Sequence, residues 1–311
     1  MKKYCFGVDV GGTNIKTGLF DEKGQLLLVK SIPTRTEEKG KYIVDDMVAC
    51  MKEMMTLQGI SEEDVAGVGA GLPGPILSDG TVNGCTNLGW GKISISPLIS
   101  EKFYGKKVCL LNDANAAALG EMWKGGGVTE DGFCDEVAFV TLGTGVGGGI
   151  ISKGELITGA DGGAGEIGHF PVNINETDYC NCGKRGCLEQ YCSATGVVRL
   201  AKKKIAGIDE SITAKDIFDR AKSGDKEYLE VVEEFGKYLG MGCANIAMVT
   251  NPKRFIIGGG VSKAGEIITE VAKKYFDMYV FKPCGDVEFV IATLGNDAGM
   301  YGCAYAVMND N

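Results

Sequence analysis

Two stretches of the sequence, Val8-Asp9-Val10-Gly11-Gly12-Thr13 and Val140-Thr141-Leu142-Gly143-Thr144-Gly145, match in kind at an offset of 132 residues. Each begins as an apolar run, turns at glycines and continues through a second apolar run to a Lys-Gly pair, at Lys23 and at Lys153. Repetition of a strand, glycine turn and strand predicts a duplicated fold with a ligand between the halves. A chance match between such short motifs is the alternative.

The rest of the chain alternates predicted strands and helices, which is typical of the α/β class. A glycine-rich connection from Gly125 to Asp135 is the strongest candidate for a domain boundary. We therefore expect an N-terminal α/β lobe over residues 1–123, joined by a C-terminal helix at 297–311. A larger C-terminal α/β lobe is expected over residues 124–296.

Composition excludes several classes of protein. The 311 residues are 44% hydrophobic and 23% charged, as in ordinary globular proteins, and the formal net charge of −9 argues against nucleic acid as a partner. No apolar run is long enough to span a membrane. Twelve cysteines without an export signal are expected to be reduced thiols or metal ligands in the cytoplasm.

The first glycine turn has the chemistry of a phosphate site. Gly11 and Gly12 expose backbone N–H groups, Thr13 adds a hydroxyl donor, and Lys16 offers a positive charge. Asp9 could hold Mg²⁺ through water. The stretch is neither a Walker A loop nor a dinucleotide fingerprint, because no helix follows the glycines. A plain β-hairpin turn is the alternative.

Two further glycine turns extend this prediction. Gly143, Thr144 and Gly145 would bind the other phosphates of a nucleotide, and Gly259 with Gly260 would lie against the adenosine. An ordinary strand-to-helix turn is the alternative at the Gly258–Gly260 triplet. Together the turns indicate a nucleotide site.

A cysteine cluster predicts a structural metal site. Cys180, Cys182 and Cys187 fall within eight residues, and His169, the only histidine of the chain, precedes them by eleven. Three thiolates and one imidazole complete the tetrahedral set that Zn²⁺ prefers, and a closed set leaves no position for catalysis by the metal. A disulfide is the alternative. Cys192 is expected to be a buried small hydrophobic residue.

Two carboxylates are tied to this cluster, since Glu166 precedes His169 and Glu189 follows Cys187. Carboxylates held rigidly in this way suit the hydroxyl groups of a polyhydroxylated substrate.

A candidate general base is Asp113, which follows a predicted strand and begins a helix. Active sites of α/β sheets collect at such strand ends, and an aspartate there can deprotonate a hydroxyl. The alternative is that Asp113 only caps the helix. The loops Gly71–Pro75 and Thr86–Trp90 could line a sugar pocket, although turn chemistry with Trp90 as a packing anchor explains them equally well.

These motifs resemble the ROK family (repressors, open reading frames, kinases), and most closely its bacterial glucokinases. The resemblance covers nearly the whole chain, and the run Cys-x-Cys-Gly-x-x-Gly-Cys-x-Glu ending at Glu189 is the part most specific to the family.

The resemblance implies duplicated actin-like ATPase (ribonuclease H-like) lobes that close over sugar and ATP·Mg²⁺, commonly as homodimers. It assigns the general base to Asp113 and implies phosphorylation of a hexose, with glucose expected. Sugar contacts are implied at Gly71, Asn87, Asn112, Asp113, Glu166, His169 and Glu189.

Several alternatives stay open at this point. Other sugars of the family, such as N-acetylmannosamine or fructose, and polyphosphate as the donor are not separated by the motifs. From other classes, a sugar-responsive transcriptional regulator and an actin-like assembly protein are considered. The first is disfavoured because the phosphate turn begins within ten residues of Met1, and the second because a filament needs neither the zinc segment nor Asp113.

Overall fold

The computed structural model describes residues 3–77 and 79–309, and its regular elements alternate along the chain. The strands are β1 (Tyr4–Val10), β2 (Asn14–Asp21), β3 (Leu26–Pro33), β4 (Val65–Leu72), β5 (Thr81–Cys85), β6 (Trp90–Ser94), β7 (Lys107–Asn112), β8 (Val128–Thr129), β9 (Gly132–Phe133), β10 (Val137–Leu142), β11 (Val146–Ser152), β12 (Glu155–Leu156), β13 (Arg254–Gly258) and β14 (Glu288–Ile291).

The helices are α1 (Glu37–Gly40), α2 (Ile43–Gln58), α3 (Ser96–Lys102), α4 (Asp113–Lys124), α5 (Glu189–Cys192), α6 (Ala194–Lys204), α7 (Ala214–Lys222), α8 (Lys226–Thr250), α9 (Gly259–Ser262), α10 (Glu266–Tyr279) and α11 (Ala298–Asn309).

The chain divides into two compact units. The first comprises Met1–Val128, Leu156–Ala164 and Asn296–Asn311, and the second comprises Thr129–Glu155 and Gly165–Gly295. The division differs from the predicted lobes in that Leu156–Ala164 joins the first unit and the boundary falls after Val128. Asp310 and Asn311, at the end of the predicted terminal helix, lie outside the described residues.

Each unit contains a five-stranded sheet of the same topology. The first sheet has the order β3-β2-β1-β4-β7, and the second has the order β12-β11-β10-β13-β14. In both, the first strand of the glycine-turn motif is antiparallel to the strand after the turn and parallel to a later strand. The repeat noted in the sequence therefore corresponds to two equivalent sheets, because each motif forms the hairpin that contains the central strand.

Helix α11 packs against the first sheet at very short range. A Cβ placed on Gly69 of β4 would lie 1.9 Å from the carbonyl oxygen of Cys303, and one on Gly302 would lie 1.7 Å from the carbonyl oxygen of Ala116 in α4. Only glycine leaves room for backbone at these distances. Helix α11 is thus packed into the first unit, in agreement with the assignment of Asn296–Asn311 to that unit.

Local signals in the sequence identify element ends with differing success. Gly59 ends α2 in the left-handed conformation, with φ of 63°, and Thr213 with Asp216 forms the expected capping box of α7. The run Ser61-Glu62-Glu63-Asp64 has the sequence pattern of a helix start. It forms only the single 3-10 turn Glu62–Asp64, because the β-rich run from Val65 enters the sheet at once.

Within residues 3–77 and 79–309, no helix combines the length and the apolar character that crossing a lipid bilayer requires.

Candidate active site

The first glycine turn connects β1 to β2 and presents a bare backbone surface. Gly11 and Gly12 are exposed, and neither has a positive φ, so backbone strain does not explain the glycines. The turn is fixed by the Gly11 N–H, which donates to the Asn14 carbonyl at 2.9 Å, and by the Thr34 hydroxyl, which donates to the Gly11 carbonyl at 2.7 Å. A ligand can therefore approach this backbone closely.

Asp9 lies at the end of β1 directly over the first turn of α11. A Cβ on Gly299 would lie 2.8 Å from the Asp9 carboxyl carbon, so this glycine makes room for the carboxylate. Burial, followed by the negative charge of Asp113, raises the pKa of Asp9 to about 6, and Lys16 opposes part of the rise. Two carboxylates in electrostatic contact are well placed to attract a cation.

Lys16 lies opposite Asp9 in the β1–β2 pair, and its ammonium forms an ion pair with Asp297. The sequence predicted a positive charge for a phosphate at Lys16 but no carboxylate partner for it. Asp297, at the end of the 3-10 turn Gly295–Asp297 that leads into α11, carries no motif that would have identified it. Contact between residues 281 positions apart depends on how α11 packs, which the sequence pattern does not specify.

Asp113 begins α4 at the carboxyl end of β7. The structural cap of this helix is Asn112, whose side-chain oxygen accepts hydrogen bonds from the N–H groups of Ala114 and Asn115. The Asp113 carboxylate accepts a hydrogen bond from Ala114 N–H at 2.9 Å, and the residue is exposed. Partial loss of hydration nevertheless raises the pKa of Asp113, which suits a base that must hold a proton briefly. The capping role thus falls mainly to Asn112.

The other predicted sugar residues of the first unit differ in accessibility. Asn87 is exposed in a 3-10 turn and its carbonyl oxygen lies 3.7 Å from a Cβ placed on Gly12. Gly71 is buried in β4, where it is paired with Asp9 on one side and Leu111 on the other, and its role as a sugar contact stays a prediction. Trp90 is 7% exposed and its indole N–H donates to the Gly40 carbonyl, as expected of a packing anchor.

The second glycine turn, Gly143–Gly145, joins β10 to β11 in the second unit. It is held by the Gly143 N–H, which donates to the Gly145 carbonyl at 2.9 Å. Gly143 has no neighbour closer than 4.0 Å to a Cβ placed on it, so its surface is also bare. Gly259 packs against Leu142 at the end of β10 and has φ of 84°, which brings the third glycine turn beside the second.

A cavity of about 330 Å³ opens beside the third glycine turn. Its lining is mainly small and apolar, with two lysines and an aspartate, and consists of Ala194, Thr213, Ala214, Lys215, Phe218, Asp219, Gly260, Val261, Lys263 and Ala264. Pockets of this size and character hold flat, mostly apolar ligand groups such as a nucleobase. Helix α7 and its cap, which the sequence did not connect with a ligand, contribute half of the wall.

The four predicted metal ligands meet in the second unit. One ligand atom from each of His169, Cys180, Cys182 and Cys187 can be chosen so that all four lie within 4.8 Å of one another. The Cys180 Sγ lies 4.0 Å from His169 Nδ1, and the Cys182 and Cys187 Sγ atoms lie 3.6 Å apart. These separations are those of donors arranged around a tetrahedral ion, and three sulfurs with one nitrogen fit Zn²⁺.

The thiols are free rather than paired. All twelve cysteines are unoxidised, so the alternative of a disulfide in the cluster is absent from this structure. Cys192 is fully buried, as expected, and its thiol donates to the Phe235 carbonyl.

Of the two carboxylates tied to the cluster, Glu166 is exposed and Glu189 is half-buried. The Glu189 Oε2 accepts a hydrogen bond from Val146 N–H at 3.0 Å, and its Oε1 lies 3.8 Å from Cys180 Sγ. Glu189 therefore contacts the second glycine turn as well as the cysteine cluster, a contact that the sequence did not suggest.

Comparison with known proteins identifies relatives of this chain. The ROK family profile matches residues 5–310. The chain belongs to the ROK family. A glucokinase of Halalkalibacterium halodurans is 40% identical over 98% of this chain and 95% of its own length. A glucokinase of Thermotoga maritima is 37% identical over 97% of this chain and 96% of its own.

The ROK fold is also found in solved structures. A ROK family glucokinase from Streptomyces griseus, solved in complex with glucose and AMPPNP, is 33% identical with a TM-score of 0.73, and the match covers 97% of this chain and 98% of that one. The family resemblance seen in the sequence and the prediction of duplicated actin-like α/β lobes are confirmed.

Proposed function

We propose that the chain is a glucokinase, which transfers the γ-phosphate of ATP to the 6-hydroxyl of glucose. It is an ATP-dependent phosphotransferase of the hexokinase type. The proposal rests mainly on the position of Asp113, an exposed carboxylate at the carboxyl end of β7. Its pKa is raised, and Asn112 is the main N-cap of the helix that Asp113 begins. Relatives named glucokinase that match nearly the whole chain support glucose as the substrate.

In the proposed reaction, the Asp113 carboxylate accepts the proton of the sugar hydroxyl as its oxygen attacks the γ-phosphorus. The bond between that phosphorus and the bridging oxygen of ADP breaks as the new bond forms. Asn87, Asn112, Glu166, His169 and Glu189 are proposed to orient the sugar. For His169, Nδ1 faces Cys180, so Nε2 is the atom left for the sugar.

The nucleotide is proposed to bind through the three glycine turns. Gly11, Gly12 and Thr13 offer donors to one part of the phosphate chain, and Gly143, Thr144 and Gly145 offer donors to another. The base enters the cavity beside Gly259 and Gly260. Asp9 would hold Mg²⁺ through water, and the ion would neutralise phosphate charge. Lys16, held by Asp297, contributes its charge from a fixed position.

Zinc is proposed to be structural and held by His169, Cys180, Cys182 and Cys187. The free thiols that such a site needs favour a reducing compartment, and we propose the cytoplasm.

We further propose a homodimer. Met248 and Val249 near the end of α8 are 46% and 86% exposed, and Met278 near the end of α10 is 66% exposed. Helices α8 and α10 pack with Gly236 near Val271 and Gly240 near Phe276, so they run in the same direction and these apolar residues share one end of the pair. Light scattering during gel filtration tests this state.

The general base is tested by Asp113→Asn. We expect kcat to fall by about 10²- to 10⁴-fold, because loss of a general base typically costs that much. Nucleotide affinity should stay within about threefold, since Asp113 is not assigned to the nucleotide. ADP release is measured with and without glucose, and an exposed carboxylate outside the site, Glu130→Gln, serves as the matched control. A kcat within tenfold of wild type in a folded Asp113→Asn protein would refute the assignment.

The sugar is tested by ranking hexoses by kcat/KM. Glucose should rank first, and a preference for N-acetylmannosamine or fructose would replace glucose while leaving the kinase assignment in place. Polyphosphate in place of ATP tests the donor in the same assay.

A further inference from the structure

The segment Glu189–Thr195, which comprises α5 and the start of α6, is hydrogen-bonded to Gly143 and Thr144 of the second glycine turn and to Val146 just after it. Ala194 N–H donates to the Gly143 carbonyl at 2.8 Å, and the Thr195 hydroxyl donates to the Thr144 carbonyl at 3.3 Å. The Glu189 carboxylate accepts from Val146 N–H at 3.0 Å. We call this segment the α5–α6 junction.

The junction is itself firmly fixed. Ser193 is 1% exposed, and its hydroxyl donates to the Glu189 carbonyl at 2.7 Å and accepts from Gly196 N–H at 3.0 Å. Its oxygen also lies 3.0 Å from the Thr195 hydroxyl oxygen. The Ser193 and Thr195 hydroxyls therefore lie side by side, and each donates its hydrogen to a different backbone carbonyl.

The junction also reaches the metal cluster. The Glu189 Oε1 lies 3.8 Å from Cys180 Sγ, while its Oε2 holds the glycine turn. A Cβ on Gly145 would lie 2.4 Å from that Oε2, so glycine is required for the carboxylate to sit against the turn. One side chain therefore spans the distance from a predicted zinc ligand to a predicted phosphate turn.

We propose that the α5–α6 junction positions the second glycine turn for the nucleotide, with Thr195 as a positioning residue, and that it couples zinc binding to nucleotide binding. Glycine-rich backbone loses much conformational freedom when it is ordered, so fixing its carbonyl groups in advance lowers the entropy cost of binding phosphate. Zinc, by fixing Cys180, fixes Glu189 and hence the turn. The inference rests on the proposed assignment of this turn to nucleotide phosphates.

Thr195→Val removes the hydroxyl but keeps the shape of the side chain. We expect ADP·Mg²⁺ to bind about 3- to 10-fold more weakly by calorimetry, the range expected for one hydrogen bond. Glucose affinity should change less than twofold, and Thr195→Ser should restore nucleotide affinity. Thr269→Val is the matched control, because Thr269 donates its hydroxyl to the Glu266 carbonyl of its own helix.

Three outcomes would overturn the positioning role: wild-type nucleotide affinity in Thr195→Val, an equal loss of affinity for glucose, or an equal loss in Thr269→Val. If the wild-type protein itself fails to bind ADP·Mg²⁺, the proposed function fails instead, so the two failures are distinguishable.

The coupling is tested by zinc itself. Zinc affinity is measured by competition with a zinc-selective chelating dye, with and without saturating ADP·Mg²⁺. Because coupling free energy is reciprocal, nucleotide should strengthen zinc binding by the factor by which zinc strengthens nucleotide binding. Repeating the measurement with Gly260→Val, designed to block the base cavity, corrects for zinc bound by free ADP. Equal zinc affinity with and without nucleotide would overturn the coupling.

Discussion

The surroundings of Asp9 disfavour the ionised form of its carboxyl group. Burial and Asp113 both raise its pKa, and the nearby ammonium of Lys16 is itself bound by Asp297. A carboxylate that is disfavoured in the free protein is common at sites that bind a cation, because the cation stabilises its negative charge when it binds. It also has a consequence for stability that can be measured without substrate.

We predict that Asp9→Asn stabilises the free protein at neutral pH while abolishing most activity. The folded pKa of about 6 exceeds the ordinary value of 3.8, so Asp9 favours folding at low pH and loses that contribution as the pH rises through 6. The variant should gain about 1–3 kcal/mol over wild type at pH 7.5. The gain should shrink as the pH falls from 6 toward 4.

Urea denaturation of both proteins at pH 5, 6 and 7.5, without magnesium or nucleotide, measures this difference. Asp21→Asn, at the far end of the same hairpin, is the control for the substitution itself. A variant that is less stable than wild type at pH 7.5 would contradict the prediction.

Among the elements of the structure, the three glycine turns supply most of the proposed nucleotide contacts. Gly260 lines the base cavity, and a Cβ placed on it meets no atom within 4 Å. A larger side chain can therefore be accommodated in the free protein, where it would occupy the space proposed for the adenosine.

We predict that Gly260→Val raises the KM for ATP roughly ten- to a hundredfold, the effect of about 1–3 kcal/mol of steric conflict. Thermal stability should change little, and the KM for glucose should stay within about threefold. Gly91→Val is the control, because Gly91 is exposed in β6 and also has open space around it. An unchanged KM for ATP would place the base elsewhere.

Elements with strong local signals could be predicted from the sequence, and elements fixed by packing could not. The apolar runs on either side of each glycine turn specified both hairpins, since strand pairing across a short turn is local. The brevity of the turn at Glu62–Asp64 was not foreseen, because the sheet takes over the chain at Val65. The burial of Gly71 likewise follows from having a strand on both sides of β4.

In the candidate site, too, the features with local sequence signals could be predicted and those fixed by packing could not. The four proposed metal ligands lie close together in the sequence. Only short segments separate them, so their proximity in the structure could be predicted. The Lys16–Asp297 pair and the bonds from the α5–α6 junction to the second glycine turn join distant parts of the chain. No motif marks such contacts, because they depend on how distant elements pack together.

For the molecule as a whole, the four proposed zinc ligands lie in a long region with few regular elements. From β12 to α5 the chain contains only the 3-10 turn Ile167–His169 and isolated bridges, including Pro171 with Cys187 and Tyr179 with Arg185. A bound metal is an effective way to order a segment with so little regular structure.

We predict about one zinc ion per chain in protein purified without chelator, measured by elemental analysis. Its removal should lower the thermal unfolding midpoint and weaken glucose binding by about 10- to 100-fold, since Glu166 and Glu189 lose their support. Cys182→Ser should reproduce both effects, whereas Cys284→Ser, which alters a thiol outside the cluster, should produce neither. Protein that retains full stability and activity without zinc would contradict a structural role.

The packing of α11 also determines the order in which the protein can mature on the ribosome. Met300, Ala304 and Val307 cover Cys5 and Phe20 in the first unit, yet the whole of the second unit separates the two groups in the chain. Cys5 and Phe20 therefore stay uncovered during synthesis until the second unit has been made. Nascent chains of this protein should accordingly depend on chaperones for longer than its size suggests, and loss of α11 would leave Cys5 and Phe20 uncovered.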